Sequence, residues 1–164
     1  MKQVVVRPAS ESEIQSLVSV VHAAVEQYRD TLDPPSGAHG ETEETIGQKM
    51  LKGGAVVATY EDRIVGCAFW EAEESWLYVG RLAVLPEYRR TGVGSRLLQW
   101  IEDLAIRHGH GRVQLGVRLA LPGLKDYYAR KGYGVIRYGS HAGHSEPTYV
   151  RMEKSVRPPR PPGE

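Results

Sequence analysis

Leu82-Ala83-Val84-Leu85-Pro86-Glu87-Tyr88-Arg89-Arg90-Thr91-Gly92-Val93-Gly94-Ser95 decides how the rest of this chain is read. An apolar strand runs into Pro86, a basic turn follows, and two glycines open a strongly amphipathic helix. A helix N-terminus carries backbone N–H groups without intrahelical acceptors and a partial positive charge, so it suits phosphate oxygens. Glycine at 92 and 94 lets a ligand approach the backbone where a Cβ would stand in the way. Arginine at such a terminus opposes the helix dipole, and phosphate binding supplies a reason to keep Arg89 and Arg90 there. The stretch reads as a cradle for a pyrophosphate.

Downstream, Val93, Leu97, Leu98, Ile101, Leu104 and Ala105 make one apolar stripe of a long helix. Arg96, Gln99, Glu102, Asp103 and Arg107 are expected on its wet face, with Gly109 as the stop. Residues 112–119 read as a strand, Pro122 opens a short helix holding Tyr127 and Tyr128, and Gly132 ends it. Strands at 133–138 and 148–156 follow. Upstream, Val4–Arg7 is a short strand, and Ser10 with Glu13 forms a capping box before a helix reaching about Tyr28. Residues 33–40 are a loop, and Glu41, Glu43 and Glu44 place acids in the first turn of a second helix. Runs 55–60, 64–70 and 76–84 make an antiparallel meander. Leu77, Val79, Arg81 and Ala83 share one face of its third strand, which sets a charge among apolar neighbours. The order β α α β β β α β α β β predicts an α+β fold, a mostly antiparallel mixed sheet of about seven strands with helices on both faces.

The chain has 164 residues, 41% hydrophobic and 25% charged, ordinary values for one globular domain, here expected over residues 1–156. The Pro-rich segment 157–164 is expected to be a disordered tail. A net charge of +1 gives no argument for nucleic acid or an anionic membrane. No apolar run reaches membrane-span length, and the lone Cys67, in an apolar strand, suits a buried position in a reducing compartment. The expected location is the cytoplasm.

Three anion-binding motifs compete for the cradle. A Walker loop needs Gly-x-x-x-x-Gly-Lys-Ser/Thr, which the chain lacks. A dinucleotide fingerprint needs a third glycine where Leu97 stands, and belongs near the start of a βαβ unit rather than after a meander. Arg-x-x-Gly-x-Gly at the start of a long helix, behind Leu-x-Val-x-Pro, is matched by Arg89–Gly94 and Leu82–Pro86. Here the chain resembles the GNAT superfamily of acyl-CoA-dependent N-acetyltransferases. Residues 82–95 look like its coenzyme A pyrophosphate motif, Tyr127-Tyr128-Ala129-Arg130-Lys131-Gly132-Tyr133 looks like its aromatic-Tyr-x-x-x-Gly-aromatic segment, and the element order matches along residues 2–156.

The resemblance implies a splayed sheet in which strand 76–84 parts from strand 112–119 and admits the pantetheine arm of acetyl-CoA as cosubstrate. Leu82, Ala83 and Val84 would bind that arm, and an amide there would polarise the thioester carbonyl. The N–H groups of Arg89, Arg90, Thr91, Gly92, Val93, Gly94 and Ser95 would bind the pyrophosphate. Tyr128 would be the general acid for the departing thiolate. The implied activity is direct acetyl transfer to a primary amine of a small molecule or peptide in a ternary complex; a non-catalytic acyl-CoA-binding regulatory module is the alternative. A homodimer is a further expectation of the family. An alkyl amine of pKa ~10.4 is neutral only to the extent of roughly one part in a thousand at pH 7, so a base is needed.

No residue is assigned as that base. Leu121 stands where the family often has Asn, and Leu115-Gly116-Val117 lacks the Glu of some peptide-acetylating members. Glu71, Glu73 and Glu74 flank the third strand, though a solvated hairpin turn explains them better. His108 and His110 suit a helix C-terminus. His141-x-x-His144 in a glycine-containing loop is weak evidence for metal, and no metal is expected. Loops 33–40 and 141–146 would border the acceptor pocket in such a fold.

Overall fold

The computed structural model describes residues 3–157; the expected tail from 158 onward lies outside them. Seven strands form one mixed sheet in the order β1-β2-β3-β4-β5-β7-β6. The chain divides into two compact units, one holding residues up to Glu71 with Val79–Ile101, the other Ala72–Tyr78 with residues from Glu102 onward.

In the first unit, β1 (Val5–Pro8) pairs antiparallel with β2 (Gly54–Tyr60), and β2 pairs antiparallel with β3 (Arg63–Ala72). Ala55–Ala58 of β2 and Val65–Phe69 of β3 are buried without alternation. A strand buried on both faces reads as such a continuous run, so the meander has cover on each side. Cys67 is fully buried, and burial pushes its thiol up to about 12, which makes it a packing residue. Two helices precede β2: α1 (Ile14–Val25) and α2 (Glu43–Lys52). The Ser10 capping box is present, with the Ser10 N–H donating to Glu13 Oε1 at 2.9 Å, but it opens a 3₁₀ turn (Glu11–Glu13) that leads into α1. The α-helix stops at Val25, and another 3₁₀ turn carries the chain to Tyr28.

The helix after the cradle, α3 (Val93–Arg107), follows β4 (Trp76–Val84). Its expected stripe, Val93, Leu97, Leu98, Ile101, Leu104 and Ala105, is buried throughout. Gly66 on β3 sets how close its first turns come. A Cβ there would lie 3.0 Å from Val93 Cγ1, 3.1 Å from Leu97 Cδ1 and 3.1 Å from the Ala83 carbonyl oxygen.

In the second unit, β5 (Arg112–Arg118) and β6 (Gly134–Gly139) both pair antiparallel with β7 (Tyr149–Ser155). Val113, Leu115, Val117, Val150 and Met152 alternate with polar residues and form its buried face. The helix α4 (Pro122–Arg130) connects β5 to β6. One expectation is corrected here. Glu102 is buried, not on the wet face of α3: its carboxylate accepts from the Tyr133 hydroxyl at 2.8 Å and the Lys154 ammonium at 3.0 Å. Glu102 follows Leu98 by four and precedes Ala105 by three, which puts it at the edge of the apolar stripe. Burial and Glu102 together hold the Tyr133 phenol well above its ordinary range.

Candidate active site

The cradle lies within the first unit. After β4, Pro86–Tyr88 make a 3₁₀ turn, pinned to β3 by Leu85 N–H on the Val65 carbonyl at 2.9 Å. The Tyr88 ring packs against Tyr60, centroids 5.9 Å apart. Thr91 Oγ1 donates to the Tyr88 carbonyl, bracing the turn from within. Arg90 (φ 63°) and Gly92 (φ 87°) both take left-handed backbone, a conformation easy for glycine and uncommon for arginine. A Cβ at Gly92 would meet nothing within 4 Å, so conformation and open space, not crowding, call for glycine there. The first bond of the α3 ladder runs from Arg96 N–H to the Gly92 carbonyl at 3.0 Å, and the N–H groups of the preceding turn lie ahead of that ladder. An exposed left-handed turn at the start of a 15-residue helix fits a pyrophosphate.

The two arginines of the turn differ. Arg89 donates to the Ala24 carbonyl and to Gln27 Oε1, both at 2.6 Å. It thus satisfies a carbonyl at the C-terminal end of α1 and fastens the cradle to that helix. Its own backbone N–H donates to the Pro86 carbonyl at 3.3 Å. Arg90 is exposed at the tip.

Beside the cradle, β4 carries an irregularity that the sequence did not announce. Arg81 has φ 50° inside the strand. A left-handed residue of this kind bends a strand and turns an amide out of the ladder. The Arg81 side chain, expected to be a charge among apolar neighbours, has found a buried partner: its Nε donates to Glu41 Oε2 at 2.8 Å, and Lys49 Nζ lies 3.5 Å from the same oxygen. Glu41 therefore does not sit in the first turn of α2. Thr42 caps that helix, accepting from Thr45 N–H at 3.2 Å, and Glu41 turns inward one residue earlier. Burial raises the Glu41 carboxyl, but the hydrogen bonds from Arg81 and Thr45 and the charges of Arg81 and Lys49 outweigh it and bring the group below its ordinary value. His22 Nε2 donates to the Glu41 carbonyl at 2.8 Å. The clue was available in the sequence: a strand arginine on an apolar face requires an acid.

Tyr128 lies in the second unit, on α4, with 7% of its surface exposed. The rings of Tyr127 and Tyr133 meet it edge-on at 5.2 and 6.0 Å. Burial first, and Tyr127 second, push its phenol above the ordinary value of 10, so it carries its proton at neutral pH. Among the described residues no group of three or more His, Cys, Asp or Glu is placed to hold a metal ion, and His141 Nδ1 instead bonds Thr148 Oγ1 at 2.5 Å. Glu71 ends up inside β3, and Glu73 N–H closes the hairpin on the Trp76 carbonyl at 2.9 Å, so this acidic segment is a turn.

The model of the acetyltransferase (GNAT) family matches residues 20–133, which takes in the meander, the cradle and Tyr128. The chain belongs to the GNAT family. It is an acetyltransferase, and acetyl-CoA-dependent N-acetylation is the general reaction of GNAT enzymes. S-alkylcysteine N-acetyltransferase of Bacillus subtilis (strain 168) is 25% identical over 146 residues, 82% of this chain and 81% of that one. An uncharacterized protein of Caenorhabditis elegans is 35% identical over 77 residues, and the match spans only 23% of its length. Among solved structures, PaiA N-acetyltransferase from Thermoplasma acidophilum in complex with coenzyme A superposes with a TM-score of 0.78 at 17% identity, over 93% of this chain and 99% of that one. Aminoglycoside 6'-acetyltransferase type Ii gives 0.74 at 20%, over 96% and 99%. At these identities the likeness to the GNAT structures is one of fold.

Proposed function

We propose that the protein transfers the acetyl group of acetyl-CoA to a primary amine by direct attack in a ternary complex. The observation that carries this reading is the cradle: a left-handed Gly92 in open space at the start of α3, directly after the Leu82–Val84 strand. When bound, acetyl-CoA supplies a thioester carbonyl open to attack. The N–H groups from Arg89 through Ser95 hold the pyrophosphate, with the Arg90 guanidinium beside them. Leu82, Ala83 and Val84 present strand backbone to the pantetheine arm. The Tyr128 phenol, protonated at neutral pH, gives its proton to the leaving sulfur. An amide freed at the irregularity of β4 supplies a donor for the developing oxyanion.

The acceptor in this reading is an amine of a small molecule or peptide. The Bacillus subtilis relative, named for an amino-acid acceptor, supports the small-molecule end of that range. No described helix is long and apolar enough to cross a membrane. A cytoplasmic location is part of the proposal, supported by the single buried cysteine. The test is a panel of amines, amino acids and amine-bearing peptides, with release of coenzyme A thiol corrected for hydrolysis and the acetylated product weighed by mass spectrometry. Amine-dependent thiol release with an added acetyl mass is expected; acetyl-CoA binding without transfer to any amine overturns the reading.

A further inference from the structure

One face of the sheet in the second unit carries more positive charge than it answers. β5 buries Val113, Leu115 and Val117 and turns Arg112, Gln114, Gly116 and Arg118 the other way, with Gly116 exposed in mid-strand. The register partner of Gly116 on β7 is Arg151, and the register partner of Arg151 on β6 is Arg137. Partners in register share a face, and like charges directly opposite each other destabilise a ladder. Glu153, the acid that β7 presents to this face, is already engaged: it accepts from Gln114 Nε2 at 2.7 Å and lies 3.4 Å from Arg112 Nη1. Among the described residues no carboxylate forms an ion pair with Arg151 or Arg137.

Arg151 is held in place by neutral groups. Its guanidinium carbon lies over the Tyr78 ring, 4.5 Å from the centroid, and its Nη1 donates to Gln114 Oε1 at 3.4 Å. The Tyr78 hydroxyl stands over Gly116, where a Cβ would lie 3.3 Å from it, and among the described residues that hydroxyl has no hydrogen-bond partner. Where β5 ends, the Arg118 carbonyl accepts from Leu121 N–H at 3.1 Å in the turn that opens α4, the helix of Tyr128. Burial first, and the charge of Arg118 second, lower the His141 imidazole, so the Arg118 side chain lies near that ring. His141 in turn meets the Tyr149 ring at 5.3 Å. Gly116 is thus an open floor with guanidinium groups and aromatic rings around it.

We propose that this face binds a carboxylate, and that the acceptor amine is one that carries it: an amino acid, or another small amine with a carboxylate on the same molecule. This rests on the acetyltransferase reading above and names its substrate class. A planar carboxylate matches the guanidinium that Tyr78 holds flat, and the Tyr78 hydroxyl adds a donor. The same negative charge relieves the Arg137–Arg151 pair. A carboxamide of the same compound keeps the shape but loses both gains. The Arg118–Leu121 turn leads from this face into the helix of Tyr128, the group that protonates the leaving sulfur in the proposed reaction.

The test titrates the full chain with the proteinogenic α-amino acids and with their carboxamides, by calorimetry in the presence of coenzyme A, and then follows acetyl transfer from acetyl-CoA to both sets. Wild type is expected to bind its preferred acid about 10- to 100-fold more tightly than the matching carboxamide, the worth of a charge-assisted contact. Arg151→Gln brings the two within about three-fold, and Arg151→Lys, which keeps the charge but not the fork, retains part of the preference. Affinity for acetyl-CoA stays within about two-fold in each variant. Arg137→Gln, a change at an exposed side chain, lowers the preference in the same direction and decides the matter should Arg151→Gln fail to fold. Carboxamides bound as well as the acids, no binding by any acid, or a preference untouched by the variants overturns the proposal. So does a loss confined to acetyl-CoA affinity, which assigns these arginines to a phosphate of the coenzyme. Acids bound with the expected preference but never acetylated uphold the carboxylate site and count against the reaction reading; carboxamides acetylated as readily as acids uphold the reaction and overturn this inference.

Discussion

Replacing Glu41 with Gln tests whether the Arg81 irregularity of β4 is held electrostatically. Gln keeps the shape of the side chain, so no cavity opens, and what is lost is one negative charge against Arg81 at 2.8 Å and Lys49 at 3.5 Å. Breaking a fully buried ion pair from one side costs about 3–5 kcal/mol. Here the Glu41 side chain is 5% exposed but Arg81 is 31% and Lys49 39% exposed, so water screens both cations once the carboxylate is gone. Neutral Gln is also cheaper to bury than a carboxylate. What remains is close to the worth of a charge-assisted hydrogen bond, about 2 kcal/mol, or ~4–8 °C in Tm for a chain of this size.

The pH dependence separates this account from a simple packing defect. Glu41 titrates below its ordinary value when folded, so its stabilisation is present above the unfolded carboxyl value and fades as the pH falls through the lower, folded one. Urea unfolding of wild type and Glu41→Gln should differ by about 2 kcal/mol at pH 7, and the two should converge in acid once Glu41 is protonated in both states. An Arg81→Gln partner completes a double-mutant cycle with a coupling of about 1–3 kcal/mol. A gap that stays constant from pH 7 into acid, or a coupling below ~0.5 kcal/mol, refutes the argument.

Three further outcomes are expected. Tyr128→Phe should lower kcat by about 10²-fold, within the range for a lost general acid, and leave acetyl-CoA affinity unchanged by calorimetry; an unaltered kcat excludes the phenol from proton transfer. Gly92→Ala meets no steric clash but forces an L-residue to hold φ 87°, so a stability loss of about 1–2 kcal/mol in urea unfolding should accompany weaker acetyl-CoA binding. Glu13, bonded to Arg7 at 2.7 and 2.9 Å and to Ser10 N–H, is lowered to about 2, chiefly by the Arg7 hydrogen bonds. Because Arg7 is 43% exposed, Glu13→Gln should cost only ~1 kcal/mol at pH 7, a difference that shrinks as the pH drops from the ordinary carboxyl range through about 2 and is measurable by thermal melts across that range.

The elements were legible because each carries a local signal. The meander shows as apolar runs split by Glu61-Asp62-Arg63 and the acidic turn, and α3 shows as a 3.6-residue stripe bounded by Gly92 and Gly109, both left-handed in the structure. The turn after Pro86 and the start of α3 were legible for the same reason, lying within fourteen consecutive residues. Pairings over long separations were not. Glu41 meets Arg81 forty residues away, and Glu102 meets Tyr133 and Lys154 across 31 and 52. No local pattern names such partners; it only leaves a charge on an apolar face that must be answered somewhere.

That asymmetry bears on the two halves of the proposed site. A pyrophosphate is recognised by backbone N–H groups at one turn, so a donor site of this kind leaves its trace in glycine spacing alone. The acceptor side of the proposed reaction calls for side chains brought from elsewhere and held still, and no local pattern assigns them. What the fold adds within the first unit is the Glu41–Arg81 contact, which joins the residue ahead of the α2 cap to the left-handed residue of β4 next to Leu82–Val84. In the proposed reaction that strand presents its backbone to the pantetheine arm. Loosening the contact through Glu41→Gln should then raise the Kd for acetyl-CoA and lower kcat/KM for the amine, and unchanged values of both would detach the Arg81 irregularity from the chemistry.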